Sequence, residues 1–279
     1  MIVSGQPQTQ LNIADRALQY GDGCFTTVAV RRGRAELWPE HLTRLKLSCE
    51  RLHIVFSAWN ELHADVKALI RDQTESVLKI IISRGEGGRG YSVAGVGQPS
   101  YVLSLHAMPQ HYQQWQIQGI DLGLSPIKLA RQPLLAGIKH LNRLEQVLVK
   151  YELEKSSYLD AVVCDTDNMM VETSAANLFW RQGGLWYTPE LINSGVEGLM
   201  RNLVMDIFRQ KSVPIQAVSA KVSSLQQAEE VFICNSLMGV VPIKSFTPID
   251  ISEKKGFIFA HLSWLQALVN NRCGNGDTE

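Results

Sequence analysis

Lys139 is a candidate for covalent chemistry because of the side chains around it. It lies in the segment Ala-Gly-Ile-Lys-His-Leu-Asn-Arg, near Leu134, Leu135, Ile138 and Leu141. Partial burial among apolar residues lowers the pKa of an amine by desolvating its charged form, which is what a lysine that forms a Schiff base requires. The alternative is a lysine at the start of a helix whose charged end simply reaches solvent. The local sequence alone favours this alternative.

Glu172 and the segment that begins at Gly195 are candidates for holding a charged or aromatic ligand. Glu172 lies between two predicted strands, where its carboxylate could keep a heterocyclic nitrogen protonated or could only form local hydrogen bonds. Gly195-Val-Glu-Gly-Leu-Met-Arg201 begins a predicted helix, and free backbone amides at a helix start suit an anion. Arg44, three residues after His41, could bind a phosphate with two hydrogen bonds or could be an ordinary surface arginine.

Two arginines lie in or beside a glycine-rich loop, Arg84-Gly-Glu-Gly-Gly-Arg89-Gly-Tyr. No helix pattern follows this loop, so it does not match a nucleotide-binding glycine loop. Two guanidinium groups instead suit a substrate that carries carboxylates. The seven histidines show no spacing typical of metal ligands, so no metal is expected.

The overall composition favours a small-molecule role. The 279 residues include 27 basic and 27 acidic side chains, so no strong net field attracts nucleic acid or an anionic membrane. The sequence contains no apolar run of about 18 residues and no secretory signal pattern. The five cysteines are scattered without a Cys-x-x-Cys pair, which is typical of a reducing, cytoplasmic compartment.

The predicted elements mix strands and helices without the alternation of a doubly wound sheet. Strands are predicted at 25–30, 34–37, 76–83, 101–106, 120–126, 161–164, 176–180, 185–187 and 230–233. Helices are predicted at 39–52, 59–72, 142–155, 196–210 and 257–269. One face of the 142–155 helix carries Leu144, Val147, Leu148 and Tyr151. We therefore expect a mixed α/β (α+β) fold with two domains, residues 1–108 and 120–279, joined by a Gln-rich linker at 109–119.

The candidate residues occur in one order along the chain. The segments are Tyr20-Gly-Asp-Gly-Cys-Phe25, His41-Leu-Thr-Arg44-Leu, Lys139, Glu172 with Asn177-Leu-Phe179, Gly198-Leu-Met-Arg201 and Glu230-Val-Phe-Ile-Cys-Asn-Ser236. This order resembles the fold-type IV pyridoxal-phosphate enzymes over residues 15–242. That family includes branched-chain aminotransferases, D-amino acid aminotransferases and aminodeoxychorismate lyases. The resemblance implies a D-amino acid aminotransferase-like fold with the cofactor in the cleft between a smaller N-terminal and a larger C-terminal domain.

The resemblance also implies a role for each matching residue. Lys139 would carry pyridoxal 5′-phosphate as a Schiff base, and Glu172 would pair with its pyridinium nitrogen. The other cofactor-binding residues would be Arg44, Asn177, Leu199, Met200 and Ser236, with Leu199 and Met200 acting through their backbone. Members of this family generally work as dimers, in which a loop of one subunit reaches the site of the other.

Within the family, the chain is most similar to the aminodeoxychorismate lyases. The similarity is carried by the segments 21–27, 83–91 and 135–148. It implies conversion of 4-amino-4-deoxychorismate to 4-aminobenzoate and pyruvate, a step of folate synthesis. Lys139, Thr26 and Thr27 are candidates to protonate the leaving group, and Arg84 and Arg89 are candidates to bind the substrate carboxylates.

Other functions stay open at this point. Branched-chain aminotransferases typically have tyrosine five residues after the lysine, where this chain has Leu144, which argues against that branch. The nearer alternative is a D-amino acid or branched-chain aminotransferase with the same fold. The more distant alternative is a protein that binds the cofactor without catalysis.

Overall fold

The computed structural model describes residues 1–247, 255–257 and 262–274, and its chain forms two compact units. The first contains Met1–Met108, Ile138–Asn142 and, of the described C-terminal residues, 272–274. The second contains Pro109–Gly137 and Arg143–Asn271. The segment that carries Lys139 therefore packs with the first unit, whereas the sequence led us to expect one continuous C-terminal domain over 120–279.

The first unit is an antiparallel sheet with helices on one face. Its elements are β1 (Ile2–Val3), β2 (Gln6–Pro7), α1 (Arg16–Tyr20), β3 (Gly23–Arg31), β4 (Arg34–Ala35), α2 (Trp38–Arg51), α3 (Trp59–Ile70), β5 (Glu75–Ser83) and β6 (Ser100–His106). The sheet order is β2-β1-β6-β5-β3-β4. The predicted hairpin is confirmed, since β3 and β4 pair around a turn at Arg32 and Gly33, both with positive φ.

Alternation along β3 assigns its side chains to two different environments. Cys24, Val28 and Val30 lie in the core that the sheet forms with α2 and α3. Phe25 and Thr27 lie on the other face and are half-buried. The functional residues of this strand are therefore split between the two faces.

The second unit is built on a mixed sheet. Its elements are α4 (His111–Gln118), β7 (Ile120–Leu124), α5 (Leu144–Leu153), β8 (Asp160–Cys164), β9 (Met170–Thr173), β10 (Asn177–Gln182), β11 (Leu185–Pro189), α6 (Leu199–Gln210), β12 (Ile215–Val218), α7 (Ser223–Gln226), β13 (Glu230–Asn235), β14 (Gly239–Phe246), β15 (Lys255–Gly256) and most of α8 (Ser263–Gly274). Among the described residues the strand order is β12-β11-β10-β13-β14-β7-β8-β9, and β15 pairs with β14.

Three features differ from the elements predicted from sequence. The predicted linker at 109–119 contains the helix α4, which packs on β14. The elements that were not predicted are β1, β2, β9, β12, β14, β15, α1 and α7. The last predicted helix begins at Ser263 rather than 257, with 258–261 outside the described residues. No helix in the described part of the chain is both long and apolar enough to span a membrane.

The helix α5 buries a different face from the one that its sequence suggests. The helix packs on the second unit through Val149 and Leu153. The apolar stripe Leu144, Val147, Leu148 and Tyr151 is exposed, with Leu144 at 71% and Val147 at 59% of its maximal accessible surface. Exposed apolar patches of this kind occur where proteins bind other proteins, membranes or ligands.

Candidate active site

Lys139 is fixed by main-chain contacts to β3. The amide of Phe25 donates to the Lys139 carbonyl at 2.9 Å, and the amide of Leu141 donates to the Gly23 carbonyl at 3.0 Å. A Cβ at Gly23 would collide with the Ile82 carbonyl, so the close strand pairing there requires glycine. The Lys139 Nζ lies 4.5 Å from the centroid of the Phe25 ring. The backbone thus holds the amine over the half-buried face of the sheet.

Behind this face, Thr26, His41 and Arg44 form a hydrogen-bonded chain. Thr26 and His41 are fully buried, and their Oγ1 and Nδ1 atoms lie 2.6 Å apart. Arg44, one helical turn after His41, donates from Nη1 to Thr26 Oγ1 at 3.5 Å. Burial, together with the positive charges of Arg44 and Lys139, lowers the pKa of His41 well below its ordinary value. His41 is therefore neutral at physiological pH.

The chemistry of the guanidinium group fixes the direction of the hydrogen bond between Arg44 and Thr26. A guanidinium group only donates hydrogen bonds, so the Thr26 oxygen accepts from Arg44. The Thr26 hydroxyl and Nδ1 of the neutral His41 share the second hydrogen bond, and its direction follows the tautomer of the ring. Thr26 is fully buried on the core face of β3, and its role as a proton donor stays a prediction. Thr27 lies on the same face as Phe25 and is the better placed of the two threonines.

Arg84 has a structural role, and its predicted contact with substrate stays a prediction. Its Nε donates to Asp22 at 2.8 Å, and its two terminal nitrogens donate to the carbonyls of Leu52 and His53, each at 2.7 Å. These bonds connect the loop after β5 to the C-terminal end of α2, and each nitrogen of the guanidinium group donates one of them. Arg89, the other predicted carboxylate ligand, is exposed on the same loop.

Arg16, which the sequence did not single out, organises that loop from inside. It is buried, its Nε donates to Asp22 at 2.9 Å, and its Nη1 donates to the carbonyls of Gly90 and Ser92 at 3.1 and 3.3 Å. Burial alone would raise the pKa of Asp22, but the guanidinium groups of Arg84 and Arg16 outweigh burial and lower it. A half-buried aspartate shared by two arginines leaves no local pattern in the sequence.

Glu172 lies near the end of β9 and is a buried acidic residue of the second unit. Its side chain is buried, at 6% exposure, and its Oε2 accepts a hydrogen bond from the amide of Val196 at 2.9 Å. The half-buried guanidinium of Arg143 lies near it: burial lowers the pKa of Arg143, and the charges of Glu172 and Glu145 oppose that shift. Arg143 was missed in the sequence because nothing local links it to a carboxylate in another strand.

The segment from Gly195 to Gly198 leads into the start of α6. No side chain caps this helix, so the amides of its first turn, including those of Leu199 and Met200, keep their donor capacity. Asn177 donates to the Val196 carbonyl at 2.9 Å, and a Cβ at Gly198 would collide with its side-chain oxygen. Asn177 therefore positions the helix start, and its predicted contact with the cofactor stays a prediction.

The remaining two predicted cofactor residues lie at the ends of elements in the same unit. Met200 has its side chain buried in the core, so only its backbone amide remains for a ligand. Ser236 follows β13 and is half-buried. Within the second unit, Glu172, Asn177 and the start of α6 are linked through Val196.

Comparison with known proteins identifies the family. Residues 23–246 match the model of amino-transferase class IV. An aminodeoxychorismate lyase from Vibrio harveyi is 41% identical over 246 residues, covering 88% of this chain and 90% of that protein. The crystal structure of 4-amino-4-deoxychorismate lyase from Pseudomonas aeruginosa superposes with a TM-score of 0.89 at 33% identity, covering 99% of both chains.

A more distant structure agrees in fold. The branched-chain amino acid aminotransferase of Escherichia coli has a TM-score of 0.80 at 22% identity, covering 97% of this chain and 92% of that one. The predicted mixed α/β, fold-type IV architecture is thereby confirmed. The family model and a relative at 41% identity each match most of the length of this chain. This chain therefore belongs to the amino-transferase class IV family.

Proposed function

We propose that this chain is a pyridoxal-phosphate-dependent lyase that converts 4-amino-4-deoxychorismate to 4-aminobenzoate and pyruvate. The observation that carries the proposal is the 41% identity, over 88% of the chain, to the V. harveyi aminodeoxychorismate lyase. Relatives named as aminotransferases are more distant, such as the D-alanine aminotransferase of Listeria monocytogenes at 23%. Elimination is therefore favoured over transamination.

The residues present fit pyridoxal 5′-phosphate. Lys139 would supply an amine for the aldehyde, and Arg44 would supply a guanidinium for the phosphate. The buried carboxylate of Glu172 would pair with the pyridine nitrogen. The uncapped amides of Leu199 and Met200 would bind the phosphate, with Ser236 as a further phosphate ligand. When bound, the cofactor withdraws electrons from the substrate carbon that carries nitrogen.

The elimination itself needs one base and one acid from the chain. Lys139 Nζ removes the proton from the carbon that carries nitrogen. The carbon–oxygen bond to the enolpyruvyl group then breaks, the six-membered ring becomes aromatic, and the leaving group takes up a proton and is released as pyruvate. We assign that proton to Thr27 or to Lys139, since Thr26 is fully buried on the opposite face of β3.

The hydrogen bonds from His41 through Thr26 orient Arg44, which we assign to the cofactor phosphate. Measuring the affinity for the cofactor tests this role. Replacing Thr26 by valine keeps the shape of the side chain but removes the link, so we expect the affinity for pyridoxal 5′-phosphate to fall about tenfold. Affinity for pyridoxal, which has no phosphate, stays the same. Both are measured by titrating the apoprotein and recording absorbance. Thr26→Ser keeps the hydroxyl and is the control; equal losses for both ligands would contradict the assignment.

We further propose that the enzyme works in the cytoplasm as a homodimer that buries the exposed stripe of α5. The five free cysteines fit a reducing compartment, and the stripe is the largest run of exposed apolar residues on one described helix. Val147→Glu places a charge in this interface, and we expect the dimer to dissociate when its mass is measured by light scattering. Val55→Glu is the matched control, because Val55 is 86% exposed in the first unit. A monomeric wild-type chain would refute the homodimer, and a dimeric Val147→Glu variant would refute this interface.

A direct assay tests the proposed reaction. Aminodeoxychorismate is generated from chorismate and glutamine by its synthase, and 4-aminobenzoate and pyruvate are quantified after the purified chain is added. We expect equal amounts of the two products. Steady turnover of D-alanine or leucine with 2-oxoglutarate, without any 4-aminobenzoate, would identify an aminotransferase instead.

A further inference from the structure

The half-buried face of the first unit's sheet carries a second lysine beside Lys139. Lys79 lies in β5 and pairs with Thr27 of β3, so both residues point to the face that α2 and α3 do not cover. Its neighbour Ile80 points to the opposite face and is fully buried in the core. The strand register therefore places Lys79 on the same surface as Phe25 and Thr27.

Both lysines approach one aromatic ring. The Lys139 Nζ lies 4.5 Å and the Lys79 Nζ 5.3 Å from the centroid of the Phe25 ring. Lys79 takes part in none of the ion pairs that the structure forms between described residues. The ammonium group of Lys79 creates a positive potential at this face, which attracts an anion.

This arrangement matches the shape of the proposed substrate. The products 4-aminobenzoate and pyruvate each carry a carboxylate, so the substrate carries two. Three of the five N–H groups of Arg84 already donate to Asp22 and to the end of α2, which favours another cation for at least one of these carboxylates. The part of the substrate that becomes 4-aminobenzoate has nitrogen at one end, a carboxylate at the other and an apolar ring between.

We propose that Lys79 binds the ring carboxylate of the substrate, with Phe25 against the substrate ring and Lys139 at its nitrogen end. This assignment rests on the proposed function. In this assignment the charge of Lys79 selects substrates that carry a carboxylate opposite the reacting amine. Lys79 thus takes the carboxylate-binding role first expected of Arg84.

The test compares Lys79→Met with Lys79→Arg in the holoenzyme. Methionine keeps the length of the side chain without its charge, so we expect KM for aminodeoxychorismate and the dissociation constant of 4-aminobenzoate to rise about 10- to 100-fold. kcat changes much less, because the contact is made equally in the bound substrate and the transition state. Lys79→Arg restores most of the affinity. Aniline, which lacks the carboxylate, binds wild type and Lys79→Met equally.

Lys46→Met is the matched control. Lys46 also lies over an aromatic ring of the first unit, 5.7 Å from the Trp59 centroid, and its loss should leave both constants unchanged. Unchanged 4-aminobenzoate affinity in Lys79→Met, with normal cofactor absorbance and thermal stability, would overturn the assignment. If the wild-type chain forms no 4-aminobenzoate, the proposed function fails, while the binding of 4-aminobenzoate to the variants still decides the role of Lys79.

Discussion

Lys139→Ala abolishes the formation of 4-aminobenzoate, with an expected loss of about 10⁴-fold or more in kcat. The variant removes the residue that we assign both as the attachment point of the cofactor and as the base of the elimination, and a positioned base alone contributes up to about 10⁴-fold. The visible absorbance of the protein-bound cofactor should change at the same time. Both properties are measured on protein supplied with excess pyridoxal 5′-phosphate.

The fold should survive this change, which makes the result interpretable. Lys139 is tied to β3 through its backbone carbonyl, and alanine keeps that bond to the amide of Phe25. The thermal midpoint of Lys139→Ala should therefore stay close to that of the wild type. Lys67→Ala, an exposed lysine of α3, serves as the control for loss of a positive charge. Activity of Lys139→Ala within tenfold of the wild type would refute the central assignment.

Glu172→Gln is expected to lower kcat by about 10²- to 10³-fold. The substitution removes the negative charge that we assign to the pyridine nitrogen, and losing one preorganised electrostatic contact costs a factor of this size. The glutamine oxygen can still accept from the amide of Val196, so the segment that leads into α6 keeps its anchor. The absorbance of the bound cofactor as a function of pH reports the change in protonation directly.

Glu145→Gln is the matched control for this experiment. Glu145 also lies near Arg143, and its Oε1 accepts a hydrogen bond from the amide of Ala130 at 2.7 Å, much as Glu172 does from Val196. The same loss of charge beside the same arginine should leave kcat and the absorbance nearly unchanged. If both variants lost activity equally, the effect would come from Arg143 and not from a contact of Glu172 with the cofactor.

The sequence was a good guide where the signal is local. The helices α2, α3 and α6 and the β3–β4 hairpin follow from apolar spacing and a glycine turn, and each forms within a few residues of its predicted bounds. It was a poor guide at α4 and at β9, β12 and β14, where short or polar segments become ordered by pairing with distant parts of the chain.

The exposed stripe of α5 illustrates a related limit. Apolar residues at helical spacing usually indicate the face that a helix buries in its own domain. In this helix Val149 and Leu153 make that contact, and the more regular stripe is left exposed. Periodicity reports that a face is apolar, and it does not say whether the same chain or a second one covers it.

Lys139 and Glu172 could be proposed from the order of short motifs alone, because the roles that we assign to them, a covalent attachment point and its charge partner, tolerate few other residue types. The partners of the arginines and threonines could not be chosen in this way. Arg84 is occupied by Asp22, the Thr26 hydroxyl by His41, and Lys79 meets Lys139 at Phe25, all through contacts between residues far apart in the chain. Which face of a strand a side chain occupies, and what already binds it there, depends on strand register and packing, and only the folded chain defines these.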